Sequence, residues 1–191
     1  MSNGTKVKKR DGRIESLDLD KMHLMVEEAC TGLAGVSASQ VEMKSGIQFY
    51  DGITTAEIQE ILIRSASDLI DLDHVNYQFV AARLLLFSIR KNLYGKIREM
   101  PSLEDHIYSC TNIDVYDKEI LNKYSKEEIS KADSYVDHDR DFIFTYAGLR
   151  QVADKYLVQD RSNSGVYETP QFMYIMIALT IFSKRNTFRL R

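Results

Sequence analysis

Cysteine is scarce in this sequence: Cys30 and Cys110 stand far apart, with no C-x-x-C spacing. That excludes a zinc ribbon and offers no disulfide framework, as expected of a chain in a reducing cytosol. Cys30 falls on the apolar face of a predicted helix, where a buried, inert thiol is expected. A strong charge of either sign is also missing. A formal net charge of -3 and a pI near 5.8 argue against a dedicated nucleic-acid surface. Residues 1–10 are polar and basic with nothing apolar behind them, so no signal peptide is expected. The apolar run FMYIMIALTIF at 172–182 is shorter than the about 20 residues that a membrane span takes, so no membrane partner is expected. There is no Gly-rich phosphate loop, no Ser-His-Asp order and no metal-ligand spacing, so neither a catalytic residue nor a metal ligand is predicted. His138 between Asp137 and Asp139 hints at a metal, but consecutive positions point in different directions.

What the chain does hold is enough apolar material for a core. Of its 191 residues 44% are hydrophobic and 28% charged, the balance of an ordinary globular protein of one or two domains. The pattern is mainly α-helical, with Thr5 to Lys21, TKVKKRDGRIESLDLDK, as the exception. Lys6, Lys8, Lys9 and Arg10 lead into Asp11-Gly12, and an Asp-Gly pair between short alternating runs predicts a hairpin with a two-residue turn. Asp18 can then cap a helix on which Leu19, Met22, Val26, Ala29, Cys30 and Leu33 recur at helical spacing. A basic hairpin set against a helix start, where free N–H groups and the positive dipole end gather, suits a small anion.

That helix is expected to end near Gly32 to Gly35, and a weaker one to follow from Ser37 to Tyr50. Thr54 to Glu57 is a capping box opening an amphipathic helix, with Ile58, Ile61, Leu62, Ala66 and Leu69 on its apolar stripe. The fourth helix, Asn76 to Tyr94, is apolar on most of its surface between Leu84 and Phe87, as an innermost bundle helix should be, and Gly95 ends it. The first domain is therefore predicted over residues 1–95, a small β-hairpin cap on a four-helix bundle. Residues 96–101 are expected to be a linker, because Met100-Pro101 disfavours helix. A second, acidic helical region is expected over 102–182, with a capping box at Ser125 to Glu128 and an amphipathic helix over 144–156. A short hairpin is predicted with strands at 156–158 and 166–167. Thr169-Pro170 starts a last helix running to Phe182, apolar on every face and so in need of burial all round; 183–191 is a basic tail.

The order of the residues says more than their charge. K-R-D-G at 9–12, Glu15, D-x-x-K ending at Lys21, and then four helices closing on Arg90-Lys91 resemble the ATP-cone, the regulatory nucleotide-binding domain at the N-terminus of ribonucleotide reductase large subunits. IQFYDGITTAEIQ, YQFVAARLLLFSIRKNLYG, DHDRDFIFTYAGLRQ, KYLVQDR and GVYETPQFMY resemble the class I large subunit in the same order, so the likeness runs to about Phe182.

The resemblance implies an effector site for ATP or dATP, with Mg2+ accompanying the nucleotide. Val7 would meet the base or sugar through its backbone, Lys9 and Arg10 would hold phosphates, and Glu15 would accept from the adenine amino group. Lys21 would reach the ribose or phosphates, Thr55 would donate to phosphate, and Lys91 would complete the cationic clamp. Asp18, where the family commonly has Asn, and Gln59, in place of a histidine, depart from the pattern on the base and ribose side. The resemblance also implies that the chemistry lies elsewhere, because the family uses a thiyl-forming cysteine and a redox cysteine pair on a ten-stranded barrel, and this sequence stops before such a barrel. The implied partners are a separate catalytic-barrel chain and a radical-generating small subunit in the cytoplasm, and the chain alone is expected to be inactive. Two other readings are a non-catalytic helical interaction module with a vestigial cone, and a free-standing ATP-cone regulator, which would carry the zinc ribbon that this sequence lacks.

Overall fold

Val7 begins the fold because it is the apolar residue between Lys6 and Lys8, and burying it turns both lysines outward. In this computed structural model, residues 5–9, 12–46, 48–160 and 165–183 are described. The chain is mainly helical and packs as two units, one of residues 1–88 and 142–150, the other of 89–141 and 151–191.

In the first unit β1 (Lys6–Lys8) pairs antiparallel with β2 (Ile14–Ser16), Val7 lying opposite Glu15. The turn between them is one residue longer than the two-residue form expected. Lys9 N donates to Arg13 O at 2.8 Å and Gly12 N to Lys9 O at 3.0 Å, with Gly12 at φ 85°. A three-residue loop ending in a left-handed glycine suits Asp-Gly as well as the shorter turn does. Arg10 and Asp11 lie outside the described residues. A third strand, β3 (Ile53–Thr54), runs parallel to β1 and completes a sheet of order β2-β1-β3, with Val7 opposite Ile53 and Lys8 opposite Thr54. Lys6 N donates to Asp51 Oδ1 at 2.8 Å and Gly52 N to Lys6 O at 2.9 Å, which fastens the turn before β3 to the edge of β1.

The helices of this unit are α1 (Leu19–Cys30), α2 (Ala38–Gly46), α3 (Thr55–Ser67) and α4 (Tyr77–Tyr94) as far as Ser88. Arg83 of α4 donates to the carbonyls of Ala29 at 3.1 Å and Thr31 at 2.6 Å, placing a cation where the dipole of α1 is negative. α2 is shorter than the 37–50 expected, since Gly46 is a poor helix former and the i→i+3 bond from Gln48 N to Ser45 O bends the chain away; residue 47 lies outside the description. On α3 Ile58, Leu62 and Ala66 are buried as expected, but Ile61 is only half so and Leu69, half-buried, falls beyond the helix end, while Gln59, Ile63 and Ser65 are buried. Leu84 to Phe87 are buried on every side. The segment 142–150 belongs here too: Phe142 lies edge-on to Phe87, and Arg150 Nη2 donates to Glu60 Oε2 at 3.2 Å.

The second unit holds the end of α4, then α5 (Leu103–Asn112), α6 (Glu119–Lys123), α7 (Lys126–Asp133) and a 3-10 turn (His138–Ile143) as far as Asp141. It resumes at Gln151 with the second half of α8 (Tyr146–Lys155), then β4 (Gln159–Asp160), β5 (Gly165–Val166) and α9 (Pro170–Phe182). Its core is Leu103, Ile107, Ile120, Tyr124, Ile129, Ala132, Phe172 and Leu179. The box at Ser125 and Glu128 opens α7 as expected. The small hairpin starts later than expected, because the N–H groups of Tyr156 and Leu157 both bond to Val152 O and finish α8 instead. Pro170 is the first residue of α9, but Thr169 caps with its backbone only. α9 is not buried all round among the described residues. Phe172, Met173 and Leu179 are buried, whereas Tyr174, Ile177, Ile181 and Phe182 are exposed, since only one side of the helix meets the core. No described helix is long and apolar enough to cross a membrane.

Candidate functional site

The sheet and the starts of α1 and α3 bring most of the expected site residues together. Val7 and Ile53 are buried on one face of the sheet. Glu15, directly opposite Val7, and Lys9, two residues along the strand direction, lie on that same face by the two-residue period, at its rim. There Lys9 Nζ stands 3.4 Å from Glu15 Oε2, and Arg13 Nη1 stands 3.4 Å from Glu15 Oε1. Arg13 is a contact that charge counting along the chain missed. It sits two residues from Glu15, and the period of a strand puts both on one side.

Asp18 follows β2 and caps α1, its Oδ1 accepting from Lys21 N at 3.0 Å while its Oδ2 pairs with Lys21 Nζ at 3.1 Å. The Lys21 backbone bond, then its ammonium, and more weakly Lys9, hold the Asp18 carboxyl below the usual range, so it is ionised. Glu15, Asp18, Lys9, Arg13 and Lys21 therefore form one cluster of alternating charge around the start of α1.

Thr55 is the first residue of α3, directly after β3. Thr54 caps this helix, and Glu57 closes the box: its carboxylate accepts from Thr54 N at 2.8 Å, Thr54 Oγ1 at 2.7 Å and Tyr50 O–H at 2.8 Å. Those bonds, the Thr54 hydroxyl foremost, pull the Glu57 carboxyl down. The positive end of α3 thus already faces a carboxylate. Gln59, one turn on, is buried, and its Nε2 donates to Leu84 O at 2.9 Å, so its amide ties α3 to α4.

Val7 can offer this cluster only its backbone. The bonds Lys9 N to Arg13 O and Leu17 N to Thr5 O flank the Val7–Glu15 pair, so by alternation the Val7 N–H and C=O are used in the ladder. Only the second lone pair of its carbonyl is left to offer. Lys91 is exposed in the last turn of α4, on the stretch that belongs to the second unit. Arg10 lies outside the described residues.

Residues 5–92 match the ATP cone domain, and residues 142–190 match the all-alpha domain of ribonucleotide reductase. The chain is 46% identical over 183 residues to the ribonucleoside-diphosphate reductase 1 subunit alpha of Escherichia coli (strain K12). It is 44% identical over 184 residues to the subunit alpha of Haemophilus influenzae and 40% over 185 residues to that of Enterobacteria phage T4. Each of these alignments covers 96% of this chain and 24% of the relative. The chain belongs to the ribonucleotide reductase large-subunit family. It matches the N-terminal region of that subunit and spans about a quarter (24%) of the length of the curated relatives.

Within this reductase region every expected site residue, Val7 through Lys91, falls inside the ATP cone match. Neither cysteine has a reactive setting. Burial pushes the Cys30 and Cys110 thiols up to about 11, so both are protonated at neutral pH. Among the described residues no group of three or more His, Cys, Asp or Glu could hold a metal ion.

Proposed function

We propose that this chain is the nucleotide-sensing piece of a ribonucleoside-diphosphate reductase large subunit, taking ATP or dATP as allosteric effector, with Mg2+ carried by the triphosphate. The observation behind this is the Lys9, Glu15, Asp18 and Lys21 cluster at the sheet rim, inside the ATP cone match. Both lysines rest on partly exposed carboxylates, pairs that water screens and that hold them only weakly. A triphosphate offers more charge and more acceptor oxygens than either carboxylate, so the exchange is favourable. Lys9, Arg10, Lys21 and Lys91 take the phosphates and ribose in this reading, Thr55 donates to a phosphate, and Glu15, once released, accepts from the adenine amino group. Val7 meets the base or sugar through its backbone carbonyl, while Asp18 and Gln59 act from behind, one shaping the start of α1 and the other holding α3 against α4.

The radical chemistry is assigned to a separate barrel-bearing chain and a radical-generating small subunit in the cytoplasm, and this chain alone is taken to be inactive. Calorimetry with ATP and dATP on the parent and on a Lys9→Ala/Lys21→Ala variant tests the site. The parent is expected to bind and the variant to lose at least tenfold in affinity; equal affinities would remove the site. A parent that binds neither nucleotide would favour the second reading, a helical interaction module with a vestigial cone. Supporting that reading are the carboxylate of Glu57 at the start of α3 and the Gln59 amide committed to Leu84.

A further inference from the structure

The hairpin of β1 and β2 sets two cations face to face. Lys8 lies opposite Ile14, and the bond from Lys9 N to Arg13 O at 2.8 Å carries the ladder one step further, so Lys9 lies opposite Arg13. Like charges directly across a ladder are destabilising, and Glu15 lies between these two, diagonal to Lys9 and two residues from Arg13. The cations take different oxygens of its carboxylate. Lys9 Nζ stands 3.4 Å from Oε2, and Arg13 Nη1 stands 3.4 Å from Oε1. One carboxylate between two cations leaves a surplus positive charge at the sheet rim, which suits an arriving triphosphate. The side chains of Arg13 and Glu15 are 71% and 43% exposed, so a ligand can reach the pair from solvent. Water screens a pair so exposed, and it adds little to folding.

We propose that Arg13 is a positioning residue for adenine recognition: it holds Glu15 Oε1, so that Oε2, released when Lys9 turns to a phosphate, is the oxygen presented to the base. This rests on the assignment of Glu15 to the adenine amino group given above. A carboxylate held by Lys9 alone loses its partner as the phosphates arrive and is free to turn away from the base. Arginine suits the task, because its charge is permanent and its planar fork fixes the direction of the bond. An ionised carboxylate only accepts hydrogen bonds. Adenine offers it an amino donor where guanine carries an acceptor oxygen, so a fixed Oε2 favours one base and repels the other.

The test is calorimetry on the full chain with ATP and with inosine triphosphate, whose base carries an oxygen in place of the adenine amino group. The parent is expected to prefer ATP by about tenfold or more, the size of effect a hydrogen bond to a charged group gives. Arg13→Ala is expected to lower ATP affinity about three- to tenfold while leaving affinity for inosine triphosphate within about twofold of the parent's. Arg13→Lys, which keeps the charge, is expected to recover part of the preference. The ratio of the two affinities is unaffected by any loss of folded protein, since both are read on one preparation. An equal fall for both nucleotides would make Arg13 a phosphate ligand or a structural residue, and an unchanged preference would show that Glu15 needs no holding by Arg13. Either result overturns the proposal and leaves the nucleotide site standing. A parent that binds both nucleotides equally would overturn the Glu15 assignment and this inference with it, and a parent that binds neither would overturn the site itself.

Discussion

Proton positions in the second unit follow from simple donor counting. Glu168 accepts from Val158 N–H and Tyr116 O–H. With its proton so placed, the Tyr116 oxygen accepts from His106 Nε2, which leaves His106 Nδ1 to accept from Tyr94 O–H at 3.3 Å. His106 is thus neutral, in the Nε2–H tautomer. Burial, with a smaller effect of His138, pushes its pKa down to about 4, and Phe172 stacks on the ring at 4.3 Å. A base whose folded pKa is depressed contributes stability that is whole above its unfolded value of about 6.5 and is lost as pH falls toward 4. His138, also pushed down to about 4 chiefly by burial, adds to the same limb. Burial raises Glu168, which acts oppositely: its contribution is whole below the ordinary glutamate value and is lost as pH rises through the raised one. Thermal melts of the parent are therefore expected to fall steeply between about pH 6.5 and 4. His106→Phe should roughly halve that slope whatever it does to stability at pH 7, and an unchanged slope would show that His106 is not held neutral. In the first unit, Asp18→Asn keeps a cap acceptor for Lys21 N, since Asn caps as well as Asp, while releasing the Lys21 ammonium. ATP and dATP should bind the variant several-fold more tightly, an advantage that shrinks with salt. Weaker binding would mean that Asp18 accepts a bond from the ligand.

Among the elements, α3 is where site and fold meet. Its first turn borders the candidate phosphate region, and Thr54 serves both β3 and the cap. Thr54→Ala should cost about 1 kcal/mol from the lost cap, read as a drop in the melting temperature of the first unit. Thr54→Ser, which keeps the oxygen, should recover most of it. This cap was legible in the sequence because all its parts lie within four consecutive positions, and so was the fully buried middle of α4. β3 was not: its two residues are too few to show a period, and the contacts that fix it join Lys6 to Asp51, 45 residues apart. α2 was drawn too long because the apolar spacing continues past Gly46, where the helix stops. The charges of the site could be read from the sequence, but not who holds them. The bond of Gln59 to the Leu84 carbonyl joins positions 25 apart and leaves no local pattern, and Arg13 went unnoticed although it shares a strand face with Glu15.

At the scale of the whole chain, two units with separate cores make a single unfolding transition a poor assumption. The second unit contains a buried ion pair, Arg90 Nη2 to Asp141 Oδ2 at 3.3 Å, with Arg90 also donating to His138 O at 2.5 Å and Gln171 donating to Asp141 Oδ1 at 3.0 Å. Removing one member leaves a buried charge without its partner, a loss of roughly 3–5 kcal/mol. Asp141→Ala is therefore expected to lower one calorimetric transition by many degrees, while a second transition, the one that ATP raises, stays near its parent temperature. If a single transition moves as a whole, the two cores unfold together.

The parallel pairing of β1 with β3 also sets an order of events on the ribosome. β1 emerges before its partner strand, and one of its edges waits for Ile53 and Thr54, which leave the exit tunnel only after α1 and α2 have been made. Until then the sheet is a hairpin of two three-residue strands, too small to stand alone in water. The nascent chain thus carries Val7 uncovered through the synthesis of α1 and α2, and the sheet is finished only when β3 arrives.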